Sequence, residues 1–316
     1  MDTPYSPPAQ PARPQVNPQL SRRSALALFA IVIFAWGFNW TAAKLTLEAM
    51  TPLWMAAIRA GLAAVVLLCV MIATRSLRLP KRGDVPVVCS IALLHMTAFA
   101  ALMALGLQFV PAGRSIVLGY TTPLWVTPAA VLLLGERLTL ARAAGVVIGM
   151  AGLAVMFNPL AFDWTDQRAL LGNGLILLSA LCWAISILHT RAHRWVSTPF
   201  QLVFWEVLLA TIVLTLLACI FEGWPQIVWS MKLALLLAYG SVFGVALAYW
   251  AMAMVNRSLP AVTTSLGVLA TPVVGVASSM LVLSEPFSLA LLLALSMIIE
   301  GIALGTVGGR KAAGSP

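Results

Sequence analysis

Apolar runs of about 20 residues recur along almost the whole sequence, and each is long enough to cross a bilayer of about 30 Å. Because lipid offers the backbone no hydrogen-bond partners, such runs are expected to form helices. A membrane β-barrel would instead show alternating segments of about 10 residues, which are not seen. The runs therefore predict an all-α polytopic membrane protein with ten transmembrane helices.

The composition agrees with this prediction. Of the 316 residues 61% are hydrophobic and only 9% are charged, whereas soluble domains carry roughly a quarter charged residues. The ten spans are predicted near Ser24–Ala43, Pro52–Thr74, Val85–Phe109, Ala112–Leu134, Leu140–Phe157, Leu170–Thr190, Pro199–Phe221, Met231–Val255, Ala261–Leu283 and Ser288–Val307.

Lysine and arginine residues fall mainly on one predicted side. If both termini are cytoplasmic, three basic residues lie in outer loops, namely Lys44, Arg168 and Lys232. The cytoplasmic segments hold 14, which are Arg13, Arg22, Arg23, Arg75, Arg78, Lys81, Arg82, Arg137, Arg142, Arg191, Arg194, Arg257, Arg310 and Lys311. This asymmetry is a positive-inside signal. It explains the net charge of +9 without a nucleic-acid partner, and it favours a bacterial-type inner membrane with both termini in the cytoplasm.

The sequence repeats itself. Residues 120–137 read YTTPLWVTPAAVLLLGER, and 149 positions later residues 269–286 read LATPVVGVASSMLVLSEP. Trp36 matches Trp183 at an offset of 147. Two halves of five spans each would have opposite orientations in the membrane, and inverted repeats of this kind are typical of secondary transporters.

The repeat gives a domain organisation. The expected units are a disordered cytoplasmic tail at residues 1–23, a first five-helix repeat at 24–157, an external linker at 158–169, an inverted second repeat at 170–309 and a cytoplasmic tail at 310–316. The first tail contains six prolines within 20 residues and no apolar core, which favours disorder.

Three segments resemble the EamA-type members of the drug/metabolite transporter superfamily. They are AWGFNWTAAK in the first span, TPLWMAAIR at the start of the second, and TPLWVTPAAVLLLGERL across the fourth. The resemblance implies a basket-like bundle of ten helices that exports small metabolites, among which neutral and aromatic amino acids are prominent. It also implies that spans one, three, four, six, eight and nine line a cavity, and that spans five and ten are peripheral.

Two helical faces are candidate substrate-binding surfaces. Trp36, Asn39 and Trp40 share a face of the first span by their spacing, and Ser179, Trp183 and Ser186 share a face of the sixth. Trp36 and Trp183 are then candidates for opposite walls of one cavity. The alternatives are an interfacial tryptophan belt and an asparagine that joins helices.

Further candidates are polar, aromatic or charged residues inside spans. His95 is a candidate for substrate binding or proton transfer, or else a neutral imidazole bonded to a carbonyl. Arg59 and Glu206 occupy equivalent positions, where Arg59 could steer a carboxylate and Glu206 could bind a proton or an ammonium group; the alternative is snorkelling or pairing with a neighbour. The remaining lining candidates are Tyr120, Ser241 and Thr264.

Two matched prolines and two adjacent aromatic residues complete the set. Pro123 and Pro272 interrupt helix hydrogen bonds at matching depths, which predicts hinges or, alternatively, static kinks. Of the adjacent Tyr249 and Trp250, at most one is expected to line a cavity.

The sequence thus predicts a secondary transporter that exports small amphipathic metabolites, most of all neutral or aromatic amino acids, by alternating access. A multidrug or other metabolite exporter is the alternative. An enzyme is disfavoured because Asp2, Asp84, Asp163 and Asp166 all lie at ends or in loops, and a channel is disfavoured by the repeat. No cofactor or metal is expected. The expected partners are a small-molecule substrate, membrane lipid and protons as a candidate coupling ion, and the chain is expected to be a monomer or a weak homodimer.

Overall fold

The computed structural model describes residues 20–135, 139–157, 165–259, 264, 267–286 and 288–311, and this part of the chain consists of helices and short connections. Its one strand-like pairing is an isolated antiparallel bridge between Met50 and Ile227. Seven helical stretches are long and apolar enough to cross a membrane: Arg22–Thr46, Pro52–Ala73, Arg82–Leu107, Ala112–Leu134, Gln167–Ala192, Phe200–Phe221 and Met231–Met252. Three shorter apolar helices are Leu140–Val155, Ala270–Leu283 and Leu289–Gly305.

The α-helices are numbered in chain order. They are α1 (Arg22–Thr46), α2 (Pro52–Ala73), α3 (Val85–Ser90), α4 (Ala100–Leu107), α5 (Ala112–Gly119), α6 (Thr122–Leu134), α7 (Leu140–Phe157), α8 (Gln167–Ala192), α9 (Pro199–Phe221), α10 (Met231–Ser241), α11 (Ala248–Ser258), α12 (Ala270–Leu283) and α13 (Leu289–Lys311). Two π-helical segments, Ile91–Phe99 and Val242–Leu247, join α3 to α4 and α10 to α11.

Helices occur at all ten predicted span positions, although the start of the ninth predicted span, residues 261–263, lies outside the described residues. The fifth, ninth and tenth positions hold the three shorter helices, so ten membrane crossings remain a prediction. The fourth span is not one helix, because α5 ends at Gly119 and α6 begins at Thr122. The third and eighth spans differ from the prediction in their π-helical centres, which no local sequence signal announced.

The helix ends follow ordinary capping chemistry. The Asp166 carboxylate accepts hydrogen bonds from the backbone N–H groups of Arg168 and Ala169, which would otherwise lack partners at the start of α8. Pro52 stands in the first turn of α2, where a missing N–H costs nothing. At the end of α6, Gly135 adopts φ 67°, a left-handed conformation that glycine enters without steric cost.

The outer surface of the bundle is apolar. Leu132 and Leu281 are each 83% exposed, and Ile220 is 72% exposed. A soluble protein would bury side chains of this kind. These residues therefore face the hydrocarbon of a bilayer in a chain whose helices are long enough to span one.

Glycines allow two of the shorter helices to pack closely. A side chain on Gly145 of α7 would collide with the backbone of Gly301 and Gly305 on α13, and one on Gly301 would collide with Gly145 and Gly149. Such small residues let helix backbones approach each other in a membrane. The two glycine motifs thus contact each other within one chain. The surfaces buried in this contact are not available for pairing with a second copy of the protein.

Helices α2 and α9 run antiparallel against each other. The first turn of α2 is close to the end of α9, since the backbone N–H of Leu53 donates to a Glu222 carboxylate oxygen at 2.9 Å. Further along, Gly61 lies beside Thr211, and Leu67 packs in one cluster with Val203. This pairing sets the relative heights of the side chains that α2 and α9 place inside the bundle.

Three buried or partly buried carboxylates connect distant parts of the chain through backbone N–H groups. Glu222 also accepts from Trp54 at 3.1 Å, and Glu285 accepts from Ala112 at 2.5 Å and from Gly113 at 2.9 Å. At the other end of α9, the fully buried Asp84 accepts from Val196 and Ser197 at 3.0 and 2.8 Å and contacts His193. Charge-assisted bonds of this type are stronger than neutral ones.

Candidate functional site

A cavity of about 160 Å³ lies at the centre of the bundle, and we call it the Arg59 cavity. Arg59 is the one charged residue on its wall among the residues that the structure describes. Most of the rest of the wall is aromatic or apolar. The aromatic and polar lining residues are Trp36, Asn39, Trp40, Arg59, His95, Phe99, Tyr120, Trp183 and Tyr249.

Arg59 and Asn39 form a pair in this cavity. The Arg59 guanidinium is buried, with the residue only 8% exposed, and its Nη2 donates to the Asn39 side-chain oxygen and, at 3.4 Å, to the Gly240 carbonyl. Its Nε has no hydrogen-bond partner in the described part of the chain. Arg59 is thus hydrogen-bonded to a neighbouring side chain and still has a donor that is not used.

Two glycines make room for this pair. A side chain on Gly240 would lie 2.6 Å from the Arg59 Nε, and one on Gly244 would lie 2.6 Å from the Asn39 oxygen. Gly244 belongs to the second π-helical segment, and its carbonyl accepts a hydrogen bond from the Trp36 indole at 3.2 Å.

A continuous series of rings forms the aromatic part of the wall. Trp36 meets Tyr249 edge to face with ring centroids 6.4 Å apart. Tyr249 lies 6.0 Å from His95, and its hydroxyl is 3.4 Å from the His95 Nε2. His95 stacks on Trp183 at 5.1 Å with an interplanar angle of 8°. Trp36 and Trp183 therefore line the same cavity, with Tyr249 and His95 between them.

A second cavity of about 310 Å³ adjoins the first and shares His95, Trp183 and Tyr249 with it. We call it the Glu206 cavity, because the Glu206 carboxyl group lies on its wall. Glu206 is only 5% exposed, and it forms no hydrogen bond or ion pair with any residue that the structure describes. An unpaired carboxyl group is costly to bury.

A third cavity of about 580 Å³ meets both of the others at Trp183. We call it the Pro123 cavity, after a residue at the start of α6 that lines it. Tyr120, Thr264 and Arg142 also lie on its wall, together with Gly301 of α13. Helices α7 and α13, which correspond to the spans implied to be peripheral, thus pack on each other and also line this cavity.

The predicted site residues separate into those on cavity walls and those elsewhere. The lining residues are Trp36, Asn39, Trp40, Arg59, His95, Tyr120, Trp183, Ser186, Glu206, Thr264 and Pro123. Ser179, Ser241 and Pro272 are buried but line none of the three. The hydroxyl groups of Ser179 and Ser241 donate at 2.7 Å to carbonyls of their own helices, Ile176 and Leu237, which satisfies them locally.

Sequence reasoning missed several lining positions. Spans two and seven were not among the spans implied to line a cavity, yet besides the predicted Arg59 they supply Val207 and Ala210. Of Tyr249 and Trp250, only Tyr249 is among the described residues that line the Arg59 cavity, as expected, but both line the Glu206 cavity. Adjacent residues point about 100° apart on an α-helix, and a broad cavity can touch both.

The two helix interruptions lie at matching depths. In the first half, Tyr120 and Thr121 separate α5 from α6, and the hydroxyls of Thr121 and Thr122 donate to the carbonyls of Leu118 and Gly119 at 2.6 and 2.9 Å. In the second half, Val268 and Leu269 form a turn before α12. The threonines thus occupy carbonyls that the interruption frees.

Apolar helices long enough to cross a membrane surround a polar and aromatic cavity, an arrangement that suits membrane transport proteins. The model of the EamA-like transporter family matches this chain twice, over residues 23–158 and 170–307. The chain therefore belongs to that family and is a multi-pass membrane protein.

Similar proteins cover nearly the same length. The uncharacterized transporter YoaV of Bacillus subtilis is 26% identical over 281 residues, which is 87% of this chain and 94% of that protein. The uncharacterized transporter YvbV of the same organism is 27% identical over 286 residues, 90% and 92% of the two chains. A riboflavin transporter of Rhizobium johnstonii is 33% identical, but only over 108 residues, 34% of this chain and 33% of that one. One crystal structure of a protein superposes with a TM-score of 0.65 at 22% identity, covering 92% of this chain and 99% of the other, which supports the fold.

Proposed function

We propose that this protein is a secondary transporter that exports small amphipathic metabolites, with neutral and aromatic amino acids as the first candidates. The observation that carries the proposal is the Arg59–Asn39 pair at one wall of a cavity whose other walls are aromatic. A guanidinium group binds carboxylates well, and aromatic rings bind apolar or aromatic side chains. The proposed substrate carries both features.

The proposed transport cycle is alternating access between two inverted halves. Matched interruptions at 120–121 and 268–269, and π-helical segments in the third and eighth spans, support it because they put equivalent irregularities in both halves. Irregular backbone is tolerated inside a membrane where it lines a cavity. Pro123 and Pro272 are the proposed hinges, and the termini are proposed to be cytoplasmic on the charge asymmetry.

A second candidate is export of drug-like or other metabolites with flat ring systems. The stacked His95–Trp183 pair favours it, since flat rings stack well on such a surface. The partial similarity to a riboflavin transporter points the same way. Such a substrate would use the aromatic series and need not use Arg59.

The test is uptake into liposomes that contain the purified protein, with radiolabelled amino acids, a nucleotide sugar and riboflavin, with and without a pH gradient. We expect saturable flux for apolar or aromatic amino acids, and a pH-gradient effect would add protons as a coupling partner. Absence of amino-acid flux in folded protein would contradict the amino-acid assignment, and riboflavin flux would favour the second candidate.

Variants locate the site within the same assay. Trp36→Ala and Asn39→Ala should each lower flux by about threefold or more, since aromatic and hydrogen-bonding contacts to the substrate are lost, while the protein stays in the membrane. Trp229→Ala is the matched control, because that indole is 67% exposed and lines none of the three cavities. Wild-type flux in both cavity variants would show that the site is elsewhere.

A further inference from the structure

The Glu206 cavity contains an ionisable carboxyl group that the proposed carboxylate-binding site around Arg59 does not use. Glu206 is almost fully buried on a cavity wall and has no hydrogen bond or ion pair within the described residues. Loss of water contacts without a replacement is unfavourable for a carboxylate, so a buried group of this kind either holds a proton or binds a cation from outside the chain.

Glu206 and Arg59 cannot serve as each other's partner. They line different cavities, and the antiparallel packing of α2 against α9 sets them at different heights. Gly61 lies beside Thr211, so Arg59 lies near the height of position 213, seven residues from Glu206. At 1.5 Å per residue this is a separation of about 10 Å along the helix axis.

The surroundings of Glu206 suit a cation with an apolar body. Trp183, Trp195, Tyr249 and Trp250 line the same cavity, and aromatic faces attract ammonium groups. Arg191 lies on the wall of this cavity too. A carboxylate among aromatic rings is a chemically coherent site for a protonated amine.

We propose that Glu206 and the aromatic residues of its cavity form a second subsite, which binds the ammonium group of the substrate. The inference rests on the proposed transport function and deepens it by assigning a ligand class, aromatic or apolar amines. The two subsites are connected, because His95, Trp183 and Tyr249 line both cavities.

The separation of the subsites has a consequence for amino acids. The ammonium and carboxylate groups of an α-amino acid are attached to one carbon atom, so they lie too close together to engage Arg59 and Glu206 at once when these residues line different cavities and differ in height by about 10 Å. An α-amino acid therefore occupies the Arg59 and Glu206 subsites one at a time. An amine without a carboxylate needs only the Glu206 subsite.

The test is calorimetric binding of two matched probes to the purified full chain. Phenylethylamine carries the ammonium group alone, and phenylpropionate carries the carboxylate alone on the same ring. Glu206→Gln should weaken phenylethylamine binding by about tenfold or more. This is the loss of affinity usually measured when a hydrogen bond to a charged group is removed. Phenylpropionate binding should stay within about twofold of wild type.

Glu300→Gln is the matched control, since it removes an exposed carboxyl group of α13 that lines none of the three cavities. Glu206→Asp, which keeps a carboxylate, should recover part of the amine affinity. A competition experiment on the wild-type protein tests the same point without a variant. Excess phenylpropionate should change the affinity for phenylethylamine only slightly.

Two outcomes would overturn the subsite. One is unchanged phenylethylamine binding in Glu206→Gln, and the other is wild-type protein that binds phenylpropionate but not phenylethylamine. Saturable amino-acid flux alongside either result would leave the transport function standing, whereas loss of all flux in folded wild-type protein would count against the transport proposal itself.

Discussion

Trp183 is the residue at which the three cavities meet. Its indole stacks on His95, approaches Phe99 at 5.2 Å and meets Tyr120 edge to face at 6.3 Å. The repeat predicted Trp183 as the counterpart of Trp36, because matched positions are visible in the sequence. The stacking on His95 could not be predicted, because it depends on the register of a span whose centre is π-helical.

Removal of this indole should weaken substrate binding in every cavity. We expect Trp183→Ala to raise the KM for transport by about three- to tenfold, from the loss of aromatic contacts worth about 0.5–1.5 kcal/mol each. The measurement is initial flux against substrate concentration in liposomes. Trp224→Ala, at a residue that is 90% exposed, should leave the KM unchanged; equal KM values in both variants would argue against a binding role for Trp183.

At the scale of elements, the irregular segments build the site. The π-helical segment Val242–Leu247 places Gly244 against Asn39, and the preceding turn of α10 places Gly240 against Arg59. The matched Thr–Pro pairs predicted the interruptions of the fourth and ninth spans. Nothing local predicted the π-helical segments, because their hydrogen-bond pattern is decided by packing and not by propensity.

A methyl group at either glycine should disturb the arginine pair. Gly240→Ala and Gly244→Ala are each expected to lower phenylpropionate affinity by about tenfold, because a Cβ atom would force Arg59 or Asn39 to move. Phenylethylamine affinity should change little. Gly174→Ala is the control, since no atom lies within 4 Å of its added carbon; loss of both probes to the same extent would indicate general misfolding.

Across the whole molecule, the recurring apolar runs predicted the helices, and the repeat predicted which of them correspond. It could not predict that α2 and α9 line the central cavity, because apolar spans of similar composition differ only in how they pack. The distribution of basic residues predicts which end of the bundle faces the cytoplasm, and labelling of exposed positions tests this orientation.

Two exposed positions can report this orientation. Leu79 is 77% exposed and Trp224 is 90% exposed. The Arg78 carbonyl accepts a hydrogen bond from Trp205, which lies 16 residues before the end of α9 at Phe221, about 24 Å along the helix. In a chain without its four native cysteines, Trp224→Cys should react with an impermeant maleimide on intact cells, and Leu79→Cys only after permeabilisation. The reverse pattern would place the termini outside.

The carboxylates of Glu222, Glu285 and Asp84 connect the two segments of the chain that match the family model. Each one satisfies N–H groups that belong to the other family-matched segment: Glu222 and Glu285 serve α2 and α5, and Asp84 serves the residues before α9. A segment made by itself would leave these donors bare and the carboxylates unpaired. We therefore expect each copy to depend on the other, because removing either one would leave backbone N–H groups of its partner without these hydrogen bonds.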